Sequence, residues 1–94
     1  MAQIIWTRNA LSDLTSIAEF IEVDSPKYAT ITVQNIYKRT ELLIDHPHAG
    51  RIVPELEQDK IREVIEGNYR IIYEVISNKV YILTVHHSAR RLKL

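Results

Sequence analysis

IREVIEGNYRIIYEVI (residues 61–76) and VYILTVHH (residues 80–87) are the stretches that decide how this chain folds. They are rich in β-branched and aromatic residues and are broken at Gly67-Asn68 and at Ser77-Asn78 or Asn78-Lys79. That pattern predicts three consecutive strands joined by tight turns, each turn with an asparagine able to take a positive φ. The side-chain period of two sorts the last hairpin into faces, and the sorting is the same for either turn placement. One face carries Tyr69, Ile71, Tyr73, Val75, Val80, Ile82, Thr84 and His86. The other carries Arg70, Ile72, Glu74, Ile76, Tyr81, Leu83, Val85 and His87. The first is the less charged and is expected to lie on helices. The second is expected to expose Ile72, Leu83 and Val85, shielded by no more than residues 88–94. A large exposed apolar patch on a small protein marks a partner site.

Upstream, residues 2–6 are short, apolar and β-branched and read as a first strand. Thr7 stands where an N-cap is wanted. Leu11, Leu14, Ala18 and Ile21, with Ile17 beside them, form one buried stripe on a helix from residue 8 to about 23, leaving Asp13, Glu19 and Glu22 on the wet side. Ser25-Pro26 starts a second helix, the serine as cap and the proline at the first position. Ala29, Val33, Ile36, Thr40 and Leu43 supply the seam of a two-helix antiparallel hairpin. The helix ends at Asp45-His46-Pro47-His48-Ala49-Gly50, because proline cannot continue the ladder. Residues 51–60 read as a connector. The fold class expected is α+β in the order β-α-α-β-β-β, as a single domain over residues 1–94.

The chain has 94 residues, 46% of them apolar, which is enough for one ordinary core. It has no cysteine, hence no disulfide or thiolate metal site. No run approaches the roughly 20 apolar residues that cross a bilayer, and the N-terminus lacks a signal-peptide layout, so a cytoplasmic location is expected. The net charge of zero conceals a split. Through Asp59 there are five basic against nine acidic residues; from Lys60 onward there are seven against three. An acidic partner segment would be drawn to the second half, whereas a polyanion as large as a ribosome would also meet the repelling first half.

With Gly50 and Gly67 the only glycines, no phosphate-cradling loop is present. His46 and His48 flank a proline with no carboxylate at a metal-ligand spacing, and neither a metal nor a cofactor is expected. The constellation with chemical potential is Arg62, Tyr69, Arg70, His86, His87, Arg90 and Arg91. With Asn78-Lys79 at the turn centre, Arg70 and His87 face each other across two strands. An arginine holding a phosphate beside a proton-moving histidine is the minimum for cutting RNA through its 2′-hydroxyl. The bland reading of Arg70 is a salt bridge to Glu63 or Glu74.

Thr7, Ser25-Pro26, Pro47 to Arg51, Ile-Arg-Glu at 61–63, Tyr-Arg-Ile-Ile-Tyr-Glu-Val at 69–75 and the closing Val85 to Arg90 segment together resemble the RelE/ParE toxin superfamily of bacterial type II toxin–antitoxin systems. The resemblance covers essentially the whole sequence. It implies a helical hairpin on one face of a mostly antiparallel sheet, with the open face and the hairpin meeting an antitoxin. RelE-like members cut messenger RNA on the ribosome with several lysines and arginines and a terminal tyrosine or histidine; ParE-like members lack most of that set and poison DNA gyrase.

Arg70 matches the strand arginine of the RelE-like branch. The lysines of the preceding strand are missing, since Ile61 and Glu63 stand there, and Ser88 and Leu94 fall where a basic residue and a tyrosine would be. Without those cations the charge developing at a scissile phosphate goes largely unneutralised. The resemblance therefore implies a ParE-like toxin that inhibits gyrase without catalytic residues, held as a hetero-oligomer by an acidic, ParD-like antitoxin. Arg62, Tyr69, Arg70, His87, Arg90 and Arg91 would meet the target. Ile72, Glu74, Tyr81, Leu83 and Val85, with the outer faces of the helices, would meet the antitoxin. The alternatives are a metal-independent ribonuclease using Arg70, His86 and His87, and a non-toxic family member that still pairs with its antitoxin.

Overall fold

One capping hydroxyl sets the start of each helix. In the computed structural model, which describes residues 1–92, the Thr7 and Ser25 hydroxyls accept from the N–H groups of Ala10 (3.2 Å) and Tyr28 (3.1 Å). The elements are β1 (Gln3–Trp6), α1 (Arg8–Glu22), α2 (Pro26–Arg39), a 3-10 turn (Thr40–Ile44), β2 (Arg51–Ile52), β3 (Ile61–Glu66), β4 (Tyr69–Ile76) and β5 (Lys79–His87). They form the expected α+β arrangement of strand, helical hairpin and meander. Two residues of the connector, Arg51 and Ile52, add a short strand against β3. The sheet order is β1-β5-β4-β3-β2, with β1 parallel to β5 and the other pairs antiparallel.

The core lies between the helical hairpin and one sheet face. Ala10, Leu14, Ile36 and Leu43 pack with Ile71, Tyr73, Val80 and Ile82. Trp6 stacks on Tyr37 with ring centroids 5.7 Å apart. Leu11, expected in the buried stripe, is 51% exposed. Asp13, expected in water, instead turns to β5, where its carboxylate accepts from the Val85 N–H (3.0 Å) and the Thr84 hydroxyl (2.6 Å). The reason is topological. β1 ends at Trp6, opposite Ile82, so the rest of β5 has no strand neighbour on that side and its N–H groups need another acceptor.

The last hairpin departs from the period-two sorting. Its turn is Ser77-Asn78, and Ser77 (φ 53°) and Gly67 (φ 55°) take the left-handed backbone that was expected of the asparagines beside them. The register shifts between Ile72 and Tyr73, so Tyr73 pairs with Ile82, Ile72 pairs with Thr84, and Leu83 is left over as a bulge. One extra residue in β5 exchanges the faces of the β5 residues beyond it. Val85 now pairs with Ile71 and joins the core, and His87 pairs with Tyr69. Arg70 consequently opposes His86, not His87.

The expectation of an open apolar face is corrected as well. Ile72 is 0% exposed and Val85 5%, while Leu83 is half-buried. Val85 is sealed by the bulge. On the far face, where Ile72 sits beside Arg70, the connector supplies the missing cover. Val53 is fully buried, and Glu55 reaches Arg70 from it. Burying one isoleucine in this way contributes about 1.5–3 kcal/mol, reason enough for the connector to lie across the sheet.

Candidate functional site

The seven residues singled out in the sequence fall into four separate environments. Arg70, on central strand β4, is nearly buried. Its Nε donates to Glu63 Oε1 (2.7 Å), while Nη1 and Nη2 donate to the two oxygens of Glu55, each at 2.8 Å. Glu63 comes from the paired strand β3, its side chain 0% exposed, and also holds Arg51. The bland reading of Arg70 thus holds for Glu63 and fails for Glu74, whose partner is Lys60 at 3.5 Å. The paired carboxylates raise the Arg70 guanidinium further above its usual range, hydrogen bonding by Glu55 being the larger cause. In return Arg70 holds the Glu55 carboxyl down at about 2.

Arg62 is likewise committed. Its guanidinium donates to the Asp59 backbone and side-chain oxygens, both at 2.9 Å, and to Gly50 O at 3.0 Å. Gly50 in turn donates its N–H to the buried Tyr73 hydroxyl (2.9 Å). An added Cβ at Gly50 would lie 2.6 Å from that hydroxyl oxygen and would also strike the Glu63 carbonyl. The arginine and the glycine together fasten the loop that enters β2.

Tyr69, His87 and Arg90 do meet, in a cleft of about 530 Å³ between the helical hairpin and the end of the sheet, shared with Asp13, Phe20, Tyr28, Asn35 and Glu66. Tyr69 and His87 touch edge to face at 5.4 Å. Burial pushes the Tyr69 phenol up, Tyr28 adds to the rise and Arg90 opposes it, so the phenol keeps its proton at neutral pH. His87 Nδ1 accepts the Ala89 N–H (3.1 Å), which leaves its Nε2 as the donor of the neutral ring. His86 also lines the cleft, with Nε2 2.8 Å from Arg90 O. Arg91 is exposed. The cleft offers hydrogen-bond donors and aromatic surface beside the carboxylates of Asp13 and Glu66. Among the described residues no three His, Cys, Asp or Glu side chains cluster as metal ligands, and no helix is long and apolar enough to cross a membrane.

Of the residues expected to meet a partner, Ile72 and Val85 are covered, Glu74 is paired, and Tyr81 and Leu83 are half-buried. The large apolar side chains that water does reach are mainly on the hairpin: Phe20 (77% exposed), Val23 (85%) and Tyr28. Phe20 and Val23 were legible as apolar residues lying off the buried stripe. Glu55 carried no local signal, because it is 15 residues from Arg70.

A family model described as the ParE toxin of the type II toxin–antitoxin system parDE matches residues 4–92. The chain belongs to the ParE toxin family. It is 34% identical over 91 residues to Toxin RelE2 of Caulobacter vibrioides, covering 96% of this chain and 99% of that one. The ParE fold is also that of a solved chromosomal ParDE toxin–antitoxin system from P. aeruginosa, with a TM-score of 0.76 at 23% identity over 93% of this chain and 96% of that one. A toxin–antitoxin complex, RelBE2 from Mycobacterium tuberculosis, superposes with a TM-score of 0.59 at 19% identity, over 92% of this chain and 96% of that one. This ParE family member is therefore a type II toxin with the RelE/ParE fold that its motifs resembled.

Proposed function

We propose that the chain acts in the cytoplasm as a ParE-like inhibitor of DNA gyrase, with no catalytic side chain, and is neutralised by an acidic, ParD-like antitoxin. The observation that carries this reading is the enclosure of Arg70. A ribonuclease needs cations held open where charge develops on the scissile phosphate. Here the strand arginine is gripped by Glu55 and Glu63, and the carboxylates beside it repel a phosphate. His86 and His87 each have a ring nitrogen engaged with the backbone. Exposed Arg90 and Arg91 are then the target-facing cations. The antitoxin docks on the hairpin apolars Phe20, Val23 and Tyr28 and reaches the sheet at Tyr81 and Leu83. Both solved relatives are toxin–antitoxin systems, which supports that partner.

Supercoiling by purified gyrase in the presence of the toxin tests the proposal. Inhibition, or a stabilised cleavage product, that an acidic antitoxin reverses is expected. Unimpaired supercoiling at high toxin excess overturns it. The gathering of Tyr69, His87 and Arg90 in one cleft favours ribosome-dependent cleavage as the second reading. New transcript ends after induction, with DNA replication intact, would establish that one instead.

A further inference from the structure

The segment 53–60 crosses the sheet face that carries Arg70 and is fastened at both ends. At one end Val53 is buried and donates its N–H to Ile61 O (3.2 Å); at the other Val75 N–H donates to Lys60 O (2.9 Å) and Arg62 holds Asp59. Between the anchors, the Leu56 and Glu57 N–H groups turn back to Val53 O, and Glu57 takes a left-handed φ of 53°. This middle part is held to the sheet by the forked pair of Glu55 with Arg70, beside the half-buried Leu56.

The two carboxylates on Arg70 are not equivalent. Glu63, 0% exposed, grips the Nε edge of the guanidinium and is shared with Arg51; Glu55, 45% exposed, grips the outer Nη1–Nη2 edge. Without Glu55, two guanidinium groups would face one carboxylate, leaving a single positive charge and a planar fork of two N–H donors turned outward. That geometry matches an oxyanion. We propose that Glu55 is the built-in occupant of an oxyanion site on Arg70, and that segment 53–60 is the strap that closes it. When the strap lifts, the outer edge of Arg70 accepts a carboxylate or phosphate group from another molecule. In the closed state the site is masked, because an external anion competes with one tethered in place. The gyrase reading rests on the closed state, in which Glu55 and Glu63 enclose Arg70; this inference concerns the open one.

Titration of the full chain with inorganic phosphate and, separately, with acetate tests it, followed by NMR at the Arg70 Nε–H and the strap amides. Glu55→Ala is expected to bind with a saturable shift centred on Arg70, at least about tenfold tighter than the wild type. A preference for phosphate over acetate, or the reverse, identifies the source of the oxyanion. No gain over the wild type, or shifts spread across surface lysines and arginines, would reduce the contact to an ordinary ion pair. Hydrogen exchange of the wild type decides independently of how the variant folds. Opening of residues 54–58 and the Arg70 Nε–H below the cost of global unfolding supports the strap, and exchange solely through global unfolding overturns it. Gyrase inhibition is a separate readout, so a failed titration leaves that reading standing.

Discussion

Arg70→Met measures how much of the fold rests on the buried pair that this arginine makes with Glu63. The Arg70 side chain is 10% exposed and Glu63 0%, so removing the guanidinium leaves a fully buried carboxylate with Arg51 as its remaining partner, itself 63% exposed. Breaking a buried pair by deleting one member costs about 3–5 kcal/mol, because the other charge stays desolvated. Against a total stability of about 5–15 kcal/mol that is a large share. At about 4–8 °C per kcal/mol for a domain of this size, the midpoint should fall by at least about 12 °C. Replacing both charges with apolar side chains, Arg70→Met with Glu63→Leu, removes the stranded carboxylate and is expected to recover most of the loss. Urea unfolding followed by far-ultraviolet circular dichroism, with thermal midpoints alongside, measures both variants. A single variant within about 1 kcal/mol of wild type, or a double variant no more stable than the single, would refute the stranding of Glu63 as the source of the loss.

Gly50→Ala forces a methyl group against the Tyr73 hydroxyl and the Glu63 carbonyl. A loss of about 2–4 kcal/mol is expected, read as a lower urea midpoint at unchanged slope. Glu55 ties stability to acid conditions. Its carboxyl is depressed from 4.5 to about 2 in the fold, so its contribution is complete above the unfolded value and disappears as pH falls through about 2. Glu55→Gln should therefore flatten the stability–pH curve between 4.5 and 2 while leaving its neutral-pH part parallel to wild type. Ser77→Gly relieves a left-handed φ at an exposed turn and should raise stability by about 0.5–1 kcal/mol, visible as a higher thermal midpoint.

The local devices were legible because each acts within one turn of chain. Thr7 and Ser25-Pro26 start their helices through hydroxyls that meet amides three residues on, and Gly67 and Ser77-Asn78 mark both sheet turns. The cation set was legible as composition, and its depletion beside Glu63 suggested which branch of the family to expect. The face assignment was legible as far as Tyr73. Beyond it, the Leu83 bulge reversed the β5 positions from Thr84 onward, and no residue in the run announces it: strand pairing, not propensity, decides where an extra residue is accommodated. Asp13 read as a solvated helix residue because its partners, Thr84 and Val85, are more than 70 positions away.

The order of strands and helices, the caps, the turns and the toxin-family motifs are properties of the sequence alone, since each rests on contacts within a few residues or on periodicity. The covering of Ile72 by the connector, the exchange of Val85 and His87 to the helical side, and the enclosure of Arg70 by Glu55 and Glu63 belong to the tertiary structure. In each case a charge or an apolar side chain is satisfied by a group distant in sequence, and the free energy that selects the pair exists only once the sheet has brought both to one place.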